Sequence, residues 1–207
     1  RDGIKFKANV KNITEGHNVP TGFTGERLVW LRITVTDSAG KVIFLSGDTD
    51  PNGNLRDNES SYVHAGKVPL DYQLFSLQSR FLVQSVRGGE RERTVTIPYS
   101  TTALPFLRPT RLSLILTGES TVERNHRKGI EPLGNRWAAY SIDGDALTGK
   151  GPYKAKVELM AQMFPINLIT AIQVVGFDYN LSPRAIADAV VAGREVLVER
   201  TVIFDVK

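Results

Sequence analysis

The sequence contains no cysteine among its 207 residues. This absence excludes disulfide bonds, thiolate zinc sites, cysteine nucleophiles, iron–sulfur ligation and covalent attachment of a c-type haem by this chain. Long apolar runs are also missing, since no stretch approaches the roughly 20 residues of a membrane-spanning helix. The sequence begins at Arg1 without an initiator methionine or a signal-peptide pattern, which predicts a processed protein or an excised domain.

A dominant charge of one sign is lacking as well. The 26 Lys and Arg residues exceed the 22 Asp and Glu residues by only four, and this small excess does not indicate a nucleic-acid-binding protein. Hydrophobic residues make up 41% of the chain, which is typical of a globular domain. We therefore expect a single domain over residues 1–207 that neither spans a membrane nor binds nucleic acid.

The first segment shows the alternation of a half-buried strand. Ile4, Phe6, Ala8 and Val10 share one side, and lysines and an asparagine share the other. Further strands are predicted at residues 28–37, 41–45, 81–86, 92–97, 111–117, 137–142, 153–163 and 196–206. Short strands with Gly and Pro turns, and without alternating helices, predict a mainly β fold, an antiparallel β-sandwich of immunoglobulin-like or related type.

Two short helices are predicted near the C-terminus, at residues 165–175 and 183–192. Together they form a predicted helical insertion around residues 165–193 of the sandwich. The second helix has the clearer limits, because Ser182 is a good N-cap, Pro183 suits the first helical position and Gly193 is typical of a helix end.

Residues 48–59 match the spacing of a calcium-binding loop. Oxygen ligands are offered by Asp48, Asp50, Asn52, Asn54 (through its carbonyl) and Glu59. Gly53 occupies the sixth position of the loop, where a sharp turn is needed. Two features oppose this interpretation: a predicted strand precedes the loop in place of a helix, and Arg56 brings a positive charge. The alternative is a polar turn rich in Asp, Asn and Gly for conformational reasons.

His17 lies in a Gly- and Pro-rich loop before the second predicted strand. An imidazole in this position is a candidate metal or haem ligand, and the alternative is a histidine that shapes the loop through hydrogen bonds to the backbone. The other histidines, His64 and His126, are far away in the sequence, and the three do not have zinc-site spacing. No pattern of nucleophile, histidine and carboxylate indicates catalysis, so we expect a protein that is not an enzyme.

The order of several short motifs resembles the haem-free domain that follows the CxxCH-bearing region in large bacterial multihaem c-type cytochromes. These motifs span nearly the whole chain: Asn12, Gly16-His17, Pro20-Thr21-Gly22, Arg27, Trp30, Asp50, Asn52-Gly53, Asp57, Gln78-Ser79, Leu104-Pro105-Phe106, Gly151-Pro152-Tyr153 and Gly176-Phe177-Asp178.

The resemblance implies a periplasmic or cell-surface role in electron transfer. The chain has no CxxCH motif, so haem c would be present only in a partner domain or subunit, and this chain would serve as a structural or docking module. In such an assembly His17 is a candidate distal axial ligand to the partner's haem. The alternative function is a calcium-stabilised extracellular adhesion or carbohydrate-binding β-sandwich, which requires an exposed aromatic platform at Trp30 or Trp137.

Overall fold

The computed structural model describes residues 3–22, 27–86, 92–97, 111–113, 120–126, 128–147, 149–166, 168–169 and 180–205. Ten antiparallel strands are the main secondary structure of these residues, which confirms the predicted mainly β fold and its β-sandwich character. The strands are β1 (Ile4–Lys11), β2 (Leu28–Thr36), β3 (Val42–Ser46), β4 (Arg80–Val86), β5 (Glu92–Ile97), β6 (Arg111–Ser113), β7 (Ser120–His126), β8 (Asn135–Ile142), β9 (Tyr153–Gln162) and β10 (Glu195–Phe204).

The strands form a four-stranded sheet in the order β10-β9-β2-β3, a two-stranded sheet β1-β8 and a further four-stranded sheet β5-β4-β7-β6. The first two sheets enclose the main core. Phe6 of β1 stacks on Tyr140 of β8 at 5.2 Å between ring centroids and meets Phe44 of β3 edge-on at 6.4 Å. Ile33 and Val35 of β2 are fully buried between the sheets. The alternation seen in β1 therefore directs one side of this strand into the core.

A second apolar cluster covers the opposite face of the four-stranded sheet. It consists of Leu28, Trp30, Leu55 and Met160. Trp30 is 1% exposed, and its Nε1 donates a hydrogen bond to the carbonyl of Gly47 at 2.9 Å. Leu55 brings the loop over residues 48–59 against this face, and the helix Pro183–Ala192 packs on that loop, where Val191 lies next to Gly53.

The helices agree in part with the sequence prediction. Helix α2 (Pro183–Ala192) begins after Ser182, whose side chain accepts a hydrogen bond from the backbone of Ala185, and it ends at Gly193 as expected. In the other predicted helix, residues 166, 168 and 169 are helical, and its remaining part lies outside the described residues. The four-residue helix α1 (Ser61–His64) and strand β7 were not predicted.

Two further predictions extend beyond the described ranges. The strands predicted at residues 81–86 and 92–97 pair with each other as β4 and β5, but the connection between them, predicted from Gly88-Gly89 to be a turn, lies outside the described residues. The same holds for the later part of the strand that was predicted at residues 111–117. None of the helices within the described ranges has the length and apolar character needed to cross a bilayer.

Candidate functional site

Asn12 organises the loop that carries His17. Its side chain is 2% exposed, and Nδ2 donates to the carbonyl of His17 at 2.9 Å and to the carbonyls of Ile130 and Glu131 at 3.1 Å each. Its Oδ1 accepts hydrogen bonds from the backbone and the hydroxyl of Thr14. A single buried amide therefore fixes the His17 backbone relative to the end of β1 and to the segment before β8.

A second connection closes the far end of the loop. Val19 and Ile130 exchange two backbone hydrogen bonds, of 2.9 and 2.8 Å, and Ile130 is completely buried. Pro20, the next residue, is also buried. The loop is thus attached to the core on both sides of His17.

The imidazole of His17 is exposed at the tip of this loop. Its Nδ1 lies 3.2 Å from the carbonyl oxygen of Asn18, and Nε2 has no hydrogen-bond partner among the residues that the structure describes. When Nδ1 carries the proton and donates to this carbonyl, the lone pair belongs to Nε2. Metal-bound histidines commonly have this arrangement, in which one ring nitrogen is held by a carbonyl and the other binds the metal.

The other two histidines lie elsewhere. His64 is at the end of α1, and its Nε2 lies 2.6 Å from the carbonyl oxygen of Asn58. His126 ends β7, where it pairs with Arg80 of β4. The described part of the chain contains no cluster of three or more His, Cys, Asp or Glu residues arranged to hold a metal ion.

A groove of about 270 Å³ adjoins the His17 loop. Val19 and Pro20 line it on the side of the loop, Met163 lines it from the segment after β9, and Leu197 lines it from β10. Its lining is mostly apolar. The groove therefore connects the His17 loop with the edge of the four-stranded sheet.

Strand β10 forms that edge and is exposed in nine of its ten residues. The exposed fractions of its apolar side chains lie between 46 and 67%; these residues are Val196, Leu197, Val198, Val202 and Ile203. An edge strand of this composition offers unpaired backbone groups and apolar side chains to a partner.

In the loop over residues 48–59, the carboxylate of Asp50 is used internally. Asp50 is 4% exposed, and its Oδ1 accepts hydrogen bonds from the backbone of Asn52 at 2.8 Å and of Asn54 at 3.0 Å. Its Oδ2 accepts the hydroxyl of Ser60 at 2.6 Å. The predicted calcium ligand thus stabilises the turn, as the alternative interpretation of this loop requires.

Two arginines supply positive charge to the same loop. The guanidinium of Arg56 donates to Asp48 Oδ1 at 2.7 Å. Arg194, at the end of α2, donates to the carbonyl of Gly53 and to Oε1 of Gln162. Burial lowers the pKa of Arg194, but the group remains charged because the ordinary pKa of arginine is so high.

Gly53 explains how closely α2 approaches the loop. Its φ is +85°, and a Cβ at this position would lie 2.5 Å from Val191 Cγ2 of the helix. Only glycine fits both the backbone conformation and the space. The glycine of the predicted calcium pattern therefore serves helix packing.

Of the other predicted calcium ligands, Asn52 and Asn54 contribute backbone N–H groups to Asp50, and the backbone N–H of Glu59 donates to Oδ1 of Asp57 at 2.9 Å. The structure gives the calcium interpretation no support, and it stays a prediction from the sequence.

Sequence reasoning did not assign a role to Asn12 or Arg194. The Asn12-Ile13-Thr14 segment does contain a signal, since asparagine side chains often bond the backbone two residues on.

Comparisons with known proteins bear on the fold alone. No protein-family model matches the chain, and no curated protein matches it. The solved structure of a penta-heme cytochrome c552 from Thermochromatium tepidum is similar, with a TM-score of 0.50 and 12% sequence identity. The similarity covers 99% of this chain and 37% of that chain, so the present chain spans little more than a third of its length.

Proposed function

We propose that this chain is a haem-free docking module of a multihaem c-type cytochrome assembly, with His17 as a distal axial ligand to a haem of the partner domain or subunit. The chain itself is not an enzyme in this proposal, and it acts in the periplasm or at the cell surface. The observation that carries the proposal is the presentation of the His17 imidazole, with Nδ1 near a carbonyl and Nε2 directed to no partner within the described residues.

The loop geometry supports a ligand role over a role in shaping the loop. The His17 ring contacts only the carbonyl of the adjacent Asn18, through Nδ1, whereas the side chain of Asn12 makes the hydrogen bonds that join the loop to the segment before β8. The Nε2 atom is consequently available to a partner. Because the loop already fixes the position of the ring, little conformational entropy is lost on binding. A neutral imidazole supplies the nitrogen lone pair that a haem iron requires of an axial ligand.

The surroundings of His17 support docking. Ile13 is 81% exposed and Leu133 is 61% exposed, and the Leu133 backbone donates to the carbonyl of Thr14 within the same loop region. The groove beside the loop continues to the apolar edge of β10. Exposed apolar surface on this scale is typical of protein interaction sites. The fold similarity to a penta-heme cytochrome, a longer chain, is consistent with such a partner.

The test is an absorption and electron paramagnetic resonance spectrum of the native assembly that contains the cytochrome partner. We expect His17→Ala to convert one low-spin bis-histidine haem to a high-spin or differently ligated form, since one axial nitrogen is lost. His64→Ala is the matched control, because His64 is also exposed but its Nε2 is engaged by Asn58. It should leave the spectrum unchanged.

Two results would contradict parts of the proposal. An unchanged spectrum of the His17→Ala assembly, with the complex intact, removes the ligand role and leaves docking. Failure of the wild-type chain to associate with any haem-containing chain or domain encoded beside it removes the docking role itself.

A further inference from the structure

The outward face of the two-stranded sheet is basic. Antiparallel pairing places Lys5 opposite Ser141, Lys7 opposite Ala139, Asn9 opposite Trp137, and Lys11 opposite Asn135. Directly paired residues lie on the same face of a sheet, and all eight are exposed. The face therefore carries three positive charges and no carboxylate.

These lysines lack compensation by neighbouring acids. Within the described part of the chain, none of the three makes an ion pair, whereas Lys156 on the other sheet bonds both Glu158 and Glu199. Two residues along a strand span about 7 Å, so Lys5 and Lys7 are about 7 Å apart, and Lys11 lies about 14 Å beyond Lys7. The result is a row of positive charges along one strand.

An exposed indole lies within this row. Trp137 is 63% exposed and stands opposite Asn9, whose Nδ2 donates to Oδ1 of Asn135 at 3.1 Å. Tryptophan combines a large apolar face with an N–H donor, and the apolar face keeps most indoles largely buried. The buried Trp30 shows the usual arrangement. Trp137 instead presents its ring to solvent between amide groups and ammonium groups.

We propose that this face, formed by Lys5, Lys7, Lys11, Asn9, Asn135 and Trp137, binds an anionic polysaccharide. A sugar ring packs its apolar C–H face on the indole, the amides bond hydroxyl groups, and the lysines pair with carboxylate or sulfate groups along the polymer. The row of charges follows the strand direction, as a linear polyanion needs.

The chemistry of the face favours a polysaccharide over an acidic protein. Protein interfaces have an apolar centre from which charged residues are depleted, and their main binding residues are surrounded by contacts that exclude water. Trp137 has polar and charged neighbours, and Ala139 is the only other apolar residue among the eight. A hydrated, hydroxyl-rich and anionic polymer fits these neighbours better. This proposal does not depend on the docking function of the His17 loop.

The probe for the test is polygalacturonate, with neutral dextran, poly-L-glutamate and single-stranded DNA for comparison, measured by titration of the fluorescence of the full chain and by calorimetry. We expect polygalacturonate to bind more tightly than any of the other three, and the binding to weaken as salt is added. Trp137→Ala should reduce the affinity at least tenfold, and Trp137→Phe should retain most of it. Lys7→Gln should reduce it several-fold.

Lys150→Gln is the matched charge control, because Lys150 is exposed but lies outside this face. The affinity of this variant for polygalacturonate should equal that of the wild type. Binding of poly-L-glutamate as tight as polygalacturonate, or no loss in Trp137→Ala, would reduce the face to a nonspecific polyanion site and overturn the proposal. Tighter binding of single-stranded DNA would overturn it in favour of nucleic acid. Absence of any binding to polygalacturonate by the folded wild type would equally contradict it.

Discussion

At the scale of single residues, the His17 loop depends on one buried amide. Asn12 satisfies three backbone carbonyls with its Nδ2, and these carbonyls belong to two segments that are distant in sequence. Loss of that amide leaves polar groups of the core without their partners, which costs more than the mean value of a hydrogen bond.

Asn12→Ala should therefore lower the free energy of unfolding by about 1–3 kcal/mol, as measured by urea denaturation. Asn9→Ala is the matched control, because Asn9 lies three residues earlier, within β1, and is exposed, and it should change the stability by less than about 0.5 kcal/mol. Equal effects of the two substitutions would contradict the role assigned to Asn12.

The Asp50 carboxylate permits a second prediction at this scale. Asp50→Ala removes the acceptor of three hydrogen bonds in a buried position, so we expect the free energy of unfolding to fall by about 2–3 kcal/mol.

Because Arg56 and Arg194 already supply positive charge to the loop, the thermal midpoint of the wild type should be the same in calcium and in chelator. A midpoint that rises with calcium would instead restore the calcium interpretation, since a ligand of the folded state stabilises it.

At the scale of secondary-structure elements, ion pairs link strands β2, β9 and β10 of the four-stranded sheet. Arg32 of β2 donates two hydrogen bonds to Glu158 of β9, at 2.7 and 2.9 Å. Lys156 bridges Glu158 and Glu199 of β10 at 2.8 and 3.1 Å. The hydrogen bonds from Arg32 hold the pKa of Glu158 below its usual value of 4.5, and those from Lys156 act in the same direction against the effect of burial.

This pKa shift predicts a dependence of stability on pH. A carboxylate whose pKa is lower in the folded state stabilises the fold fully above its unfolded pKa, and this contribution is lost as pH falls through the folded pKa. Glu158→Gln should be less stable than the wild type at neutral pH, by about 1–3 kcal/mol, and the difference should narrow below about pH 4. Denaturation curves across this pH range test the prediction, and a difference independent of pH would contradict it. Glu199→Gln, at an exposed position, should show a much smaller effect.

The strands illustrate which elements a sequence can predict. The limits of β1 follow from strict alternation, since a strand with one buried face has a period of two. Strand β7 was missed because residues 120–126 are mostly polar and lack such a period. The four-residue helix α1 is too short to show a helical period, although Ser60 is a suitable N-cap.

The loop over residues 48–59 shows what the sequence leaves open. Asp, Asn and Gly at this spacing suit both a calcium loop and a turn closed by its own hydrogen bonds. One contact that distinguishes the turn from the calcium loop is the hydrogen bond from Arg194 to the carbonyl of Gly53. Arg194 lies 141 residues after Gly53, so no local sequence pattern predicts this contact. Arg56 and the strand predicted before the loop were the two local signs against a calcium site.

At the scale of the whole molecule, exposed apolar surface is unevenly distributed. Strand β10 covers most of the strand that was predicted at residues 196–206, and its apolar composition suggests burial, yet it lies at the sheet edge with most side chains in solvent. The exposure of β10 follows from its edge position in the sheet, and local composition does not determine that position. In the proposed assembly this edge and the groove beside His17 contact the cytochrome partner.

Leu197→Lys tests this assignment, because Leu197 lines the groove and is 52% exposed. Its unfolding free energy in the isolated chain should stay within about 0.5 kcal/mol of the wild type, as expected for an exposed side chain. Its affinity for the haem-containing partner should fall at least tenfold, because a lysine ammonium would be desolvated in an apolar contact. Val42→Lys is the matched control, since Val42 is 50% exposed on β3 at the opposite edge of the same sheet. An equal loss of affinity in both variants, or no loss in either, would place the partner on another surface.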